Sequence, residues 1–209
     1  MGIITSIEST RKNDNRKNIF VDEKCVCSLS EFCVFKNKLR QDMEITEEQL
    51  QTMQIESDVE MFFPKIVKMQ TKNMKTTKQV KDYLEQQGLL QQTIHIVLGK
   101  LDEYKYVNDE VYAKRYLERY KKSKGIQKIK YELRQKGVED EIIDRVLGAV
   151  SNQCEEVWEL SIKYMKNKQA NYENYTKLVR YLTSKGFGME DIRVVLQRLR
   201  KGEDDENWE

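Results

Sequence analysis

The sequence predicts a mainly α-helical chain, three tandem three-helix units behind a small N-terminal β-meander, and two observations carry that reading. Gly88, Gly137 and Gly186 recur 49 positions apart, from 88 to 137 and from 137 to 186, each in the same place of the same apolar pattern. Val80, Ile129 and Leu178 lie eight positions upstream of them, Leu84, Leu133 and Leu182 four upstream, and Leu89, Val138 and Phe187 directly after. Downstream, Ile94/Val97/Leu98/Leu101, Ile143/Val146/Leu147/Val150 and Ile192/Val195/Leu196/Leu199 fall in register, with the i, i+3, i+4, i+7 spacing of one helical face. Internal repetition of this extent decides the architecture.

Residues 1–45 read differently. Ile3 to Ser9, Asn18 to Val21 and Lys24 to Leu29 are short, partly alternating and rich in β-branched or aromatic residues; Lys12-Asn13-Asp14-Asn15 and Asp22-Glu23 separate them. This is the pattern of a small antiparallel meander. Ser30 is placed to cap a short helix bearing Phe32, Phe35 and Leu39, and Thr46-x-x-Gln49 offers a capping box for the next helix. Because a short hairpin is marginal alone in water, this segment is expected to pack on the first helical unit.

Each helical unit opens with a helix whose apolar stripe is Val59/Phe62/Phe63/Ile66, Ala113/Tyr116/Leu117/Tyr120 or Val157/Leu160/Ser161/Tyr164. These stripes leave the 49-residue register, so the connection after the first helix varies in length. Pro64, the only proline, falls in the first stripe and suits a first-turn position or a helix boundary. The second helix of each unit stops at its glycine, which reaches the left-handed region without a Cβ penalty. With Gly137 as that stop, Leu133 and Val138 form the apolar pair that packs across such a cap; Leu84 with Leu89 and Leu182 with Phe187 repeat it. The third helix starts near Gln91-Gln92-Thr93, Glu139-Asp140-Glu141 or Glu190-Asp191, where acidic side chains oppose the positive end of the helix dipole. The resulting spans are 1–45 for the β segment with its short helix, 46–105, 106–151 and 152–201 for the three helical repeats, and 202–209 for an acidic tail that includes Asp204-Asp205 and reads as a solvated end.

Three units of this size within 209 residues point to an elongated string of small bundles that either bury surface against their neighbours or stay mobile about their junctions. Charged residues make up 34% and apolar ones 39%, and the mean hydropathy of −0.77 fits helices with one buried stripe and a wide solvated face. No run approaches the roughly 20 apolar residues of a membrane-spanning helix. Glu8, Arg11 and Lys12 follow a short apolar run too soon for a signal-peptide core, which points to a cytoplasmic protein. Cys25, Cys27 and Cys33 cluster while Cys154 is remote, so neither a disulfide framework nor a four-ligand zinc site is written here, and small buried hydrophobes are the expected role. His95, the only histidine, sits beside an apolar stripe and reads as structural.

No nucleophile and base, metal cluster, Walker motif or GxGxxG loop is visible, so neither an enzyme nor a cofactor is expected. The net charge of +2 conceals an uneven distribution. Lys114, Arg115, Arg119, Lys121, Lys122, Lys124, Lys128, Lys130, Arg134 and Lys136 are opposed within their stretch only by Glu118 and Glu132. With Tyr112, Tyr116, Tyr120 and Tyr131 interleaved, this block suits nucleic-acid phosphates or an acidic protein surface. Equally, it suits a lysine-rich solvated face whose tyrosines fill the core.

The middle unit carries a family resemblance. Tyr106-Val107-Asn108-Asp109-Glu110-Val111-Tyr112-Ala113, then Gly125-x-x-x-Ile129-x-x-x-Leu133-x-x-Lys136-Gly137-Val138 and Ile143-x-x-x-Leu147, resembles the most characteristic stretch of the RecX family of recombination regulators. Ile4-Thr5-x-Ile7, Asn18-Ile19-Phe20-Val21-Asp22 and Leu182-x-x-x-Gly186-Phe187-x-x-x-x-Ile192 extend the likeness over nearly the whole chain. In the first unit the family tends to show arginine-serine with a glutamate three residues later, where this chain has Lys75-Thr76 and Gln79, a substitution that keeps a capping box but not an arginine contact. The resemblance implies a non-enzymatic protein of tandem three-helix units that lies in the groove of the RecA recombinase filament and modulates it, usually by inhibition; a monomer is the expected state of the chain. The ten basic residues from Lys114 to Lys136 are then the expected contacts, to recombinase or to the DNA it carries. A helical nucleic-acid-binding protein acting without a recombinase is the alternative, and a generic helical adaptor a third.

Overall fold

The computed structural model describes residues 1–10 and 13–206, with side chains described for 1–10 and 15–201. The chain forms two compact units, Met1–Val107 and Asn108–Glu209.

In the first unit, β1 (Gly2–Thr10), β2 (Asn13–Val21) and β3 (Lys24–Ser30) form the expected antiparallel meander. The Asp22-Glu23 loop has positive φ at both residues, 48° and 66°, the backbone of a type I′ turn that matches hairpin twist. Asp22 Oδ1 also accepts from the Ile3 amide at 3.1 Å, tying the turn to β1. After α1 (Glu31–Lys36), a two-residue strand β4 (Glu44–Ile45) pairs with β1, giving the order β3-β2-β1-β4. Ser30 caps α1 through a bond from the Cys33 amide, as expected. The residues assigned to its apolar face are corrected, however: Phe32 and Phe35 are 61% and 81% exposed, while Cys33 and Leu39 are buried. A six-residue helix turns only a narrow face to the sheet, and Cys33 occupies it; Lys38, at φ 50°, then turns the chain so that Leu39 points inward. The buried role expected of the cysteines holds for Cys33 only, since Cys25 is exposed near the hairpin turn and Cys27 and Cys154 are half-buried.

The next helix, α2 (Glu47–Lys72), begins at the Thr46/Gln49 capping box. Pro64 lies well inside it, at neither a first turn nor a boundary. Proline removes one amide and crowds the carbonyl four residues back, which belongs to Glu60; both residues are on the exposed side, where water can serve that carbonyl. Val59, Phe62 and Ile66 still face inward and pack with α3 (Thr77–Gln86) and α4 (Gln91–Glu103) around Val80, Leu84, Ile94, Val97 and Leu101. The sheet is joined to α2 by Arg16, whose guanidinium meets the buried Asp58 carboxylate at 2.9 Å, and by the Ser30 amide, which donates to Ser57 Oγ at 2.7 Å.

The second unit holds two helix trios, α5 (Asp109–Tyr120), α6 (Ile126–Gln135) and α7 (Asp140–Leu147), then α8 (Cys154–Met165), α9 (Tyr172–Ser184) and α10 (Met189–Glu206). Each trio encloses its own apolar cluster, one around Ala113, Ile129, Leu133 and Ile143, the other around Val157, Leu178, Leu182 and Ile192. Gly88, Gly137 and Gly186 have φ of 76°, 80° and 85°. Val138 donates to the Leu133 carbonyl at 3.1 Å and Phe187 to that of Leu182 at 3.2 Å, with both members of each apolar clasp buried. The caps at Gly137 and Gly186 are Schellman caps. Helix α10 carries the backbone through Glu206, so most of the segment read as a tail is helical; 207–209 lie outside the described residues. Among the described residues no helix is long and apolar enough to cross a membrane.

Candidate functional site

The basic block lies on α5, α6 and the loop between them. Helix α5 turns Ala113 and Leu117 into the core, which leaves Arg115 and Arg119, spaced i, i+4, along its exposed side, with Lys122 exposed in the turn just past its end. Asn108 starts this helix by accepting the Val111 amide at 2.9 Å, and Gly125 begins α6.

Local pairing divides the ten cations. Lys114 meets Glu110 at 2.6 Å, Lys121 meets Glu118 at 3.0 Å, Lys124 meets Glu132 at 2.7 Å, and Lys130 and Arg134 meet Asp144 and Asp140 of α7. Hydrogen bonding from Lys114 holds the Glu110 carboxyl below its ordinary range, and that from Arg134 does the same for Asp140. Arg115, Arg119, Lys122 and Lys128 make no ion pair among the described residues. They are therefore the charges left for a partner.

Three of the interleaved tyrosines are neither core nor free platforms. Tyr112, Tyr116 and Tyr120 form a half-buried ladder beside the apolar cluster, with ring centroids 6.0 and 4.5 Å apart. Lys124 sits 4.1 Å from the Tyr120 centroid and Lys136 5.6 Å from that of Tyr116. The Tyr116 hydroxyl donates to Glu132 at 2.7 Å; burial first, then that bond, pushes its pKa up. Burial acts to raise the pKa of Glu132 too, but the bonds from Lys124 and Tyr116, with the nearby charges of Lys124 and Lys128, hold it below the ordinary value. Tyr131 stands apart, 62% exposed.

A second cluster of the same kind, outside the sequence-based expectations, lies on the last trio. Tyr164 and Tyr181 stack at 5.0 Å, with the Lys168 ammonium 3.0 Å from the Tyr164 centroid and that of Lys185 5.5 Å from Tyr181. A signal for it was present, since Lys185 precedes Gly186 as Lys136 precedes Gly137. Chemically, both clusters present fixed ammonium charges suited to carboxylates or phosphates. Among the described residues no three His, Cys, Asp or Glu side chains gather to hold a metal.

Comparison with known proteins agrees with this architecture. The family model for the regulatory protein RecX N-terminal domain matches residues 2–46, and that for the RecX second three-helix domain matches residues 108–147. The chain is 33% identical over 202 residues to the regulatory protein RecX of Clostridium tetani, covering 94% of each chain. It is 31% identical over 209 residues to that of Clostridium perfringens, covering 97% of this chain and 99% of the relative. A crystal structure of a regulatory protein RecX shares the fold with a TM-score of 0.65 at 23% identity, over 94% of this chain and all of that one. RecX from Lactobacillus salivarius superposes with a TM-score of 0.64 at 24% identity, over 68% of this chain and 97% of that one. With helix trios capped alike, an N-terminal meander and this identity over nearly the full length, the chain belongs to the RecX family of regulatory proteins.

Proposed function

We propose that this protein binds the RecA recombinase filament as a cytoplasmic monomer and modulates it, in the inhibitory direction, by contact rather than by catalysis. Membership of a family of regulatory proteins over nearly the full chain is the observation that carries this reading. The middle trio supports it, because Arg115, Arg119 and Lys122 are left exposed without carboxylate partners, and Lys128, beside the last trio, has none either. A filament repeats its surface, so several modest contacts made in series add through effective concentration without one large interface. In this proposal the spans 46–105, 106–151 and 152–201 act as successive contact modules, with Lys114 to Lys136 as the central one.

The test adds the protein to recombinase preassembled on single-stranded DNA and follows ATP hydrolysis and filament length. Hydrolysis is expected to fall and filaments to shorten; no change at several-fold excess over recombinase subunits sinks the proposal. A second reading, binding to DNA without a recombinase, is favoured by the unpaired Arg115 and Lys122. It requires affinity for naked DNA that drops steeply with salt, and a shallower salt slope in an Arg115→Gln/Lys122→Gln variant.

A further inference from the structure

The two cation–aromatic clusters are joined by the backbone. The Gly125 amide donates to the Lys185 carbonyl at 2.9 Å, and the Gln127 amide to the Gly186 carbonyl at 3.2 Å. The approach is so close that a Cβ on Gly125 would lie 2.0 Å from the Gly186 carbonyl oxygen, and one on Gly186 would lie 2.5 Å from the Lys128 amide nitrogen. Gln153, from the linker between the trios, is 2% exposed and closes the joint from behind. Its Oε1 accepts from the Ile126 amide at 2.8 Å, and its Nε2 donates to the carbonyls of Lys121 and Lys124 at 3.4 and 3.3 Å. A buried amide satisfied in this way fixes its surroundings, because moving it would leave several polar groups unpaired. The loop that carries Lys121 to Lys124 is thereby locked against the last trio.

On the two sides of this joint lie Lys124 against Tyr120, the backbone and Cβ of Lys128 against Gly186, Lys185 against Tyr181, and Lys168 against Tyr164. Lys128, Lys168 and Lys185 make no ion pair among the described residues, whereas Lys124 is shared with Glu132. The tyrosine faces are engaged by the chain's own ammonium groups and by one another. Stacking of nucleic-acid bases needs ring faces that are free. The arrangement therefore favours a partner read through fixed negative charges rather than through its bases; with the filament reading above, that partner is the acidic side chains of the recombinase, and contact to nucleic-acid phosphates is the competing outcome of the test.

We propose that the recombinase-binding surface is composite, spanning the second and third helix trios, with Lys128, Lys168 and Lys185 as its contacts to acidic side chains of the filament and Gln153 as the positioning residue that holds them in register. This rests on the filament reading above and deepens it.

The experiment uses the full-length chain and measures suppression of filament ATP hydrolysis, together with co-sedimentation with filaments, across a salt series. Lys168→Gln/Lys185→Gln, which removes two charges lacking ion-pair partners, is expected to raise the half-inhibitory concentration about tenfold and to weaken the salt dependence. Gln153→Ala is expected to raise it by a similar factor while leaving the net charge, and so the salt dependence, as in the wild type. Should Gln153→Ala not fold, the lysine double variant, which leaves the joint intact, decides alone. Wild-type inhibition with an unchanged double variant overturns this inference and leaves the filament reading standing. No inhibition by the wild type overturns both. Tighter binding of the wild type to naked DNA than to the filament, lost in the double variant, assigns the surface to nucleic acid and also overturns it.

Discussion

Arg16 and Asp58 show how much one side chain can decide. Arg16, on the inner strand β2, donates to the Ser28 carbonyl of β3 at 2.6 Å and to Asp58 of α2 at 2.9 Å, and the Asp58 side chain is only 3% exposed. Burial lifts the Asp58 carboxyl above its ordinary value, and the charge and hydrogen bond of Arg16 recover only part of that shift. The folded state then holds the proton more tightly than the unfolded chain does. The contribution of this group to stability is accordingly largest below the ordinary carboxylate value, and falls as pH rises to the folded value. Arg16→Ala removes the opposing charge, which raises the folded value further and widens that window. The expected cost is about 3 kcal/mol near neutral pH, with much of it recovered below about pH 4, where Asp58 is protonated in both states. Denaturant melts of the wild type and of Arg16→Ala at both pH values measure this; a loss independent of pH would mean that Arg16 acts through its packing alone. None of this was legible beforehand, because Arg16 lies on a strand and Asp58 on a helix 42 positions away, and no local pattern links them.

Helix ends were the most legible elements, because each is decided within a few residues. The spacing of the three glycines gave their left-handed φ, the Thr46 and Thr76 boxes gave their helix starts, and the apolar clasps followed from position. Where a helix stops without glycine, the signal vanishes. Lys105 takes the same role after α4 at φ 58°, with its amide donating to Asp102 and that of Tyr106 to Leu101. The two caps make opposite predictions. Gly137→Val should cost about 2 kcal/mol or more through left-handed strain at a β-branched residue, whereas Lys105→Gly should stabilise by about 1 kcal/mol by relieving the same strain. Thermal melts of the two variants check both, and an unchanged midpoint in Lys105→Gly would mean that its neighbours already absorb the strain. The basic block was legible as composition but not as a site. Asp140 and Asp144, which occupy Arg134 and Lys130, come from the next helix, and so the division between engaged and available charge depends on packing.

At the scale of the molecule, the unit Asn108–Glu209 contains everything a fold of its own requires. Its two apolar clusters are built wholly from its own residues, Asn108 supplies the first cap, and the joint at Gly125, Gln153 and Gly186 couples the trios through backbone bonds and a buried side-chain amide. Two small trios that met only through side chains would melt separately or in sequence. Trios sharing backbone hydrogen bonds and a buried amide lose those contacts together, so the fragment Asn108–Glu209 is expected to be helical and to unfold in one cooperative transition. Gly125→Ala tests the coupling directly. Its methyl cannot coexist with the Gly186 carbonyl oxygen at 2.0 Å, so the joint must open. Although Gly125 itself has an ordinary φ of −74°, and alanine there would strain no backbone dihedral, the midpoint should fall by about 10 °C, corresponding to a loss of roughly 2 kcal/mol for a domain of this size. Calorimetry should also show the single transition broadening or dividing as each trio melts on its own core. A fragment that melts in two steps before any substitution, or a Gly125→Ala variant that melts as the parent does, would show that the joint transmits no stability between the trios.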